Sequence, residues 1–291
     1  MKTIKDQVVY SFSKENQPVV HVNSGDTVVF ETRDCFDNQI QHEEQGIDVL
    51  DWDHINPVTG PVYVEGAQPG DILQVKIDKI QLEEYGVLAC VPDNGVLGRD
   101  VKQGQVKRVR IKDRMVHFND HISFPCNPMI GVIGVAPAEG EIPCGEPGSH
   151  GGNMDNKTIT EGAILYLPVY HEGALFALGD VHGAMGDGEI MVSGLEIPAK
   201  VTVTLSVLKG ETIENPRLEN DFFYYTIASH ENIEEAIYMA TSDMAKLLMR
   251  KLNMPFNEVG MLLSAAGNLQ FCQVVDPKRT VRMEISKSIL K

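Results

Sequence analysis

The chain has 291 residues, 43% of them hydrophobic, enough to bury a large core in one elaborate domain or two closely joined ones. Its formal net charge of −16 repels phosphate backbones and anionic lipid, so neither a nucleic-acid nor a membrane partner is expected. The five cysteines (Cys35, Cys90, Cys126, Cys144, Cys272) are odd in number and never spaced C-x-x-C, which argues against a disulfide framework or a thiolate zinc site and for reduced thiols in a cytoplasm.

At the N-terminus, polar and charged residues interrupt every apolar run of MKTIKDQVVYSFSKENQPVV, so no export or anchoring signal is expected. Short β-branched runs bounded by Gly, Pro, Asn or Asp then predict strands at 19–22, 26–32, 72–82, 106–111, 164–169 and 200–208. The run at 106–111 overlaps the one basic cluster, Lys107 to Lys112, where charge alternates with Val109 and Ile111 as on an exposed strand. Ser24-Gly25-Asp26 and Pro69-Gly70-Asp71 read as hairpin entries with glycine at positive φ. No helical pattern alternates with these strands, which disfavours a parallel βαβ sheet and points to a sandwich or barrel. After about residue 228 the period changes. Ile233, Ala236, Ile237, Ala240, Met244, Leu247 and Leu248 fall at helical spacing behind Ser229 as a candidate N-cap. A short helix from Pro255 through Ala265, with Gly267 as C-cap, and strands at 269–275 and 280–285 follow. The expected architecture is mainly β, a mainly-β region over 1–228 carrying an α+β segment over 229–291.

Four polar or Gly-rich segments stand at strand ends, where binding groups gather on a rigid scaffold. Asp180-Val181-His182 is the sharpest: on an extended chain an i, i+2 pair shares a face, where a carboxylate and an imidazole can take one divalent ion. The other reading is a Gly-rich turn with a solvated Asp. His54 lies in an acidic loop with Trp52 as an apolar wall, and Glu65 interrupts an apolar strand; both are candidate ligands, and both read equally as surface residues. Asp34 and Cys35 end the strand 26–32, Asp34 as a further candidate ligand or a turn former. A Cys35 nucleophile is disfavoured, because a neighbouring aspartate raises the thiol pKa and no histidine adjoins it. Glu146 to Asp155 lacks the lysine of a P-loop and reads as a loop shaped around a small ligand, with Asn153 and Asp155 as polar contacts and His150 as an acid, base or ligand.

In these same segments the sequence resembles the acetamidase/formamidase family. The stretches Asp53 to Ala67, Met129 to Ala138, Gly151 to Asp155 and Leu178 to Glu189 look like its motifs, in order, with Glu196 in the expected downstream place. The resemblance implies a mostly β fold with a jelly-roll-like portion, hydrolysis of formamide or acetamide, and a divalent metal at the histidine and carboxylate motifs. On that basis His54, Asp180 and His182 are the expected ligands, with Asp34 or Glu65 completing the shell. Zinc comes first, and manganese or calcium would also be tolerated. Glu146 or Glu196 is the expected general base, His150 the acid that protonates departing ammonia, and Asn153, Asp155 and Trp52 the substrate contacts. Hydrolysis of another linear C–N bond and a non-catalytic small-molecule-binding role are the alternatives. A homodimer is expected, with the long amphipathic helix and some of the 12 methionines at its interface.

Overall fold

Residues Thr27–Thr32 bury Val28, Phe30 and Thr32 and leave the alternate side chains partly open, the signature of a strand with one face on a core. The strand pairs antiparallel with Ala199–Leu208, which buries Ala199, Val201, Val203 and Leu205 in the same rhythm. In this computed structural model, which describes residues 2–290, these strands belong to a nine-stranded sheet. Ile72–Leu82, Ile164–Pro168 and Arg217–Glu219 carry that sheet onward to Phe223–His230, Arg279–Ser286 and Asn268–Gln273.

A second, six-stranded sheet is centred on Met129–Gly134, Phe176–His182 and Val58–Glu65. Every residue of the first two is buried, because one face meets the large sheet and the other is roofed by loops. That double burial explains the continuous apolar run of Met129–Gly134. Val28, Val75, Ile77 and Val203 of the large sheet share one core with Val62, Val64, Ile130 and Leu178 of the smaller. Across that core Phe30 meets Phe176 edge to face, with centroids 5.7 Å apart. The result is a curled β-sandwich, as the sequence led one to expect. Gly25 (φ 95°) and Gly70 (φ 92°) take the left-handed positions expected of them, but their turns close no hairpin: each leads from the six-stranded sheet, out of Val20–Asn23 and Val58–Glu65, to Thr27–Thr32 and Ile72–Leu82 of the nine-stranded one.

The basic cluster lies on Gln105–Lys112, within a four-stranded antiparallel sheet with Tyr85–Cys90, Met115–His117 and Ser123–Pro125. Near the C-terminus, helices α1 (Ile233–Leu252) and α2 (Phe256–Ala266) cover Phe223–His230 and Arg279–Ser286 with a separate apolar cluster that includes Ala240, Met244, Leu248, Val259 and Val281. The N-cap of α1 is Asn232, whose Oδ1 accepts from Glu234 N at 2.8 Å, and not Ser229, which is held in the preceding strand. Asn253, at φ 51°, ends the helix with a left-handed residue. No helix among the described residues is long and apolar enough to cross a membrane.

Candidate active site

Asp180 and His182 close the buried strand Phe176–His182, and both side chains are almost fully enclosed. Three carboxylates converge on the imidazole: His182 Nε2 lies 3.2 Å from Glu196 Oε2, 3.4 Å from Asp180 Oδ1 and 3.7 Å from Asp155 Oδ1. Glu189 joins Asp155 and His182 with ligand atoms within 4.8 Å of one another, and Cys35 forms a second such group with Asp180 and Glu196. Asp155 follows the short strand Gly151–Asn153, while Glu189 and Glu196 come from the loop beyond His182. The main chain of Glu196 bridges to His182 and Val87, and Glu189 Oε1 accepts from Gly194 N at 3.0 Å. Two glycines make room: a Cβ on Gly131 would stand 2.5 Å from a carboxylate oxygen of both Asp155 and Asp180, and one on Gly194 would strike the His182 ring.

The arrangement is held under strain. Asp155 (φ 42°), Asp180 (φ 51°) and Glu189 (φ 49°) all adopt left-handed backbone, at about 1–2 kcal/mol each. Burial pushes Asp155 and Glu189 well above the usual carboxylate range, with neighbouring carboxylates adding to it. Burial also lifts Glu196 to about 8, moderated by His182. The same burial would strip the proton from His182, but Glu196 and Asp180 overcome it and hold the imidazole cationic, and His182 in turn keeps Asp180 ionised. One positive charge is therefore shared among four buried acids.

Asp180, Glu189 and Glu196 line a cleft of about 490 Å³. Asn153 and Asp276 stand beside them, Asn153 Nδ2 donating to Asp276 Oδ2 at 3.0 Å. Asp276 is raised well above its ordinary value by burial and by Asp155. It reaches the cleft because the chain after Asn268–Gln273 crosses the loop that carries Glu189: Gly188 N donates to Cys272 O at 2.7 Å, and Val274 N to Gly188 O at 3.3 Å. Arg282 locks this crossing. Its guanidinium is buried and binds both oxygens of Asp187 at 2.9 and 2.8 Å, with Asn156 Oδ1 at 3.2 Å and Gln270 Oε1 at 2.7 Å.

Of the residues singled out in the sequence, Asp155, Asp180, His182 and Glu196 are brought together, and Asn153 and Trp52 line the same cleft. His54 is not brought in. It is exposed, and its Nδ1 is engaged by Asp51 Oδ2 at 2.6 Å, the acidic neighbour that made the loop look like a ligand site. Glu65 points to solvent against His21 at 2.9 Å. Glu146 pairs with Lys278 at 3.4 Å. His150 is buried against Phe12 with neither ring nitrogen partnered, and burial, helped by Lys278, pushes it down to about 4. Neither Glu146 nor His150 lines the cleft. The sequence reading missed the roles of Glu189, Asp276 and Arg282. Glu189 ends the Leu178 to Glu189 stretch, whereas Asp276 reads as an Asp-Pro turn and carries no local signal of a site.

Asp34 is buried beside Cys35, its Oδ1 accepting from Asn38 N at 2.7 Å, and burial lifts it to about 6 despite that bond. Its folded pKa exceeds the unfolded one, so the native protein is undiminished below about pH 4, loses stability as pH rises to 6, and carries the full cost above. Asp34→Asn is expected to gain up to about 3 kcal/mol above pH 6 and nothing below pH 4, with turnover retained. Denaturant melts at pH 4 and pH 7.5 check this, and a loss of activity would restore Asp34 to the ligand set.

The donor set suits a divalent cation. Both Asp155 oxygens, Asp180 Oδ1, Glu196 Oε2 and both His182 nitrogens are buried without a hydrogen-bond partner, although such atoms are nearly always satisfied. Glu196 and Asp180 beside His182 favour positive charge there, which a metal ion would supply.

Sandwich, buried acid–imidazole centre and cleft together define a β-sandwich protein with a candidate metal-assisted site. The chain matches the Acetamidase/Formamidase family over residues 2–142 and 140–240, and it belongs to that family. It superposes on an acetamidase from Bacillus halodurans with a TM-score of 0.97 at 42% identity, covering 99% of this chain and 98% of that one. A recombinant predicted acetamidase/formamidase from the thermophile Thermoanaerobacter tengcongensis gives a TM-score of 0.97 at 48% identity, over 99% and 96%. The formamidase of Methylophilus methylotrophus is 26% identical over 264 residues, 68% of this chain and 64% of that protein. The chain thus spans less than two thirds of that relative's length.

Proposed function

We propose that this protein hydrolyses small linear primary amides, of the formamide and acetamide kind, to a carboxylate and ammonia, with a divalent cation at the buried centre. The observation that carries the reading is the convergence of Asp155, Asp180, His182, Glu189 and Glu196, of which Asp155, Asp180, His182 and Glu196 carry unpartnered buried polar atoms and Asp180, Glu189 and Glu196 line one cleft. The formamidase and acetamidase names of its relatives support the reaction class.

Asp155, Asp180, His182 and Glu189 would hold the ion, and a set of imidazole and carboxylates fits zinc first, manganese or calcium next. When bound, such an ion would polarise the amide carbonyl and lower the pKa of a water. Glu196, lifted by burial to about 8 before any ion is bound, is the group that would take a proton from water and return it to the departing nitrogen. Asn153 Oδ1, buried, unpartnered and on the cleft lining, would accept from the substrate's N–H.

Purified protein is expected to release ammonia from formamide, acetamide and propionamide, to lose that activity on chelation, and to regain it with one added metal. Metal content is determined on the same sample. A metal-bearing protein inactive on all three amides would remove the amide reading; chelator-insensitive release would remove the cation.

A further inference from the structure

Formamide and acetamide contain only a handful of heavy atoms, about 100 Å³ at roughly 30 Å³ per water-sized group. The cleft holds about 490 Å³, in the range of pockets that enclose far larger ligands. Its lining is mixed: Asp48, Asn56 and Asn94 add polar groups to the acids, Asn153 and Ser193, while Phe36, Ile47, Trp52, Ile55, Val91 and Val192 supply apolar walls. Phe36 and Ile47 are part of a buried apolar cluster against which Ile55 and Val91 pack, so this lining is backed by a core.

The apolar character continues outward. Trp52 is 52% exposed and its neighbour Val49 67%. Val96, Leu97 and Ile190, from the loops flanking the cleft, are each about half exposed, and Val96 N donates to Ile190 O at 2.8 Å, joining those loops. In a chain of net charge −16, large apolar side chains left open on loops next to the cleft suit apolar surface.

Resting on the amide reading above, we propose that the preferred substrate is a primary carboxamide with an apolar acyl group of about four to six carbons. The carboxamide head lies against Asp180, Glu189 and Glu196, and the hydrocarbon along Ile55, Val91 and Trp52. Reaction at the head is ordinary amide hydrolysis: water adds to the carbonyl carbon, the C–N bond breaks, and ammonia leaves with a proton from water. The acyl tail takes no part in bond changes and acts only by burial.

The test is kcat/KM for ammonia release from the unbranched series formamide to hexanamide, with metal-replete protein. The expected result is a rise of about fourfold for each added methylene up to the length of the cleft. Val91→Trp, which fills the wall, is expected to lower the hexanamide-to-formamide ratio at least tenfold. A kcat/KM that is flat or falls with chain length, with formamide still hydrolysed, overturns the acyl-group assignment and leaves amide hydrolysis standing. Release from no member of the series overturns both. Should Val91→Trp fail to fold, the series on the unaltered protein decides the question alone.

Discussion

Gly131→Ala is expected to cut amide turnover on the order of a hundredfold or more while leaving the protein folded. Gly131 sits inside the buried strand Met129–Gly134, and its backbone does not require glycine: its φ is not in the left-handed region. What excludes a side chain is the site itself. The methyl would stand 2.5 Å from Asp155 Oδ1 and Asp180 Oδ2 and 2.9 Å from the Asp180 carbonyl, so carboxylates held on strained backbone must move. Overpacking of this kind costs about 1–3 kcal/mol of stability, within what a folded domain tolerates. A displacement near 1 Å at a reacting centre is enough for the catalytic loss. Ile133→Val in the same strand is the control: it opens a small void for about 1 kcal/mol and touches no member of the site. Steady-state kinetics, circular dichroism and bound metal on both variants check the expectation. Full turnover in a folded Gly131→Ala protein would mean that these two aspartates are not where the chemistry occurs.

The same glycine shows where the sequence was legible and where it was not. Strand 72–82 is found in full as Ile72–Leu82, because alternation against a core is a local signal that tertiary packing reinforces. Asp180 and His182 were found together, yet for a reason only partly right. An i, i+2 pair on regular extended backbone shares a face, whereas Asp180 leaves that geometry at φ 51° and meets His182 through a local kink. His54 misled because nearby acids raise the odds of a ligand and of a plain ion pair alike, and Asp51 takes the ring nitrogen for itself. Asp276 was invisible since its role exists only after the C-terminal strands cross the Glu189 loop, a contact that no window of sequence contains. Asp155 was assigned to substrate when its carboxylate stands 3.7 Å from His182 Nε2, a distance set by the pairing of Gly151–Asn153 with Met129–Gly134.

Arg282→Met is expected to destabilise the protein by about 2–4 kcal/mol and to lower kcat in the fraction that remains folded. The side chain is 1% exposed, and its guanidinium holds Asp187, Gln270 and Asn156 at once. Methionine keeps much of the volume and loses all of the donors, leaving Asp187 with Lys157 at 2.9 Å as its remaining cation. Asp187 is one third exposed, so solvent absorbs part of the cost, which keeps the figure below that of a fully buried broken pair. The catalytic consequence follows from the chain. Asp187 precedes Gly188 and Glu189, Asn156 follows Asp155, and Arg282 therefore ties two site carboxylates to the last long strand of the large sheet. Loosening it should raise the metal concentration needed for half-maximal activity as well as lower kcat, whereas Lys157→Met, cutting the more exposed half of the same network, should shift both far less. Urea melts and metal-titrated kinetics on the two variants separate anchoring from mere packing. If Arg282→Met melted early yet titrated with metal like the unaltered protein, the residue would hold the fold together without positioning the site.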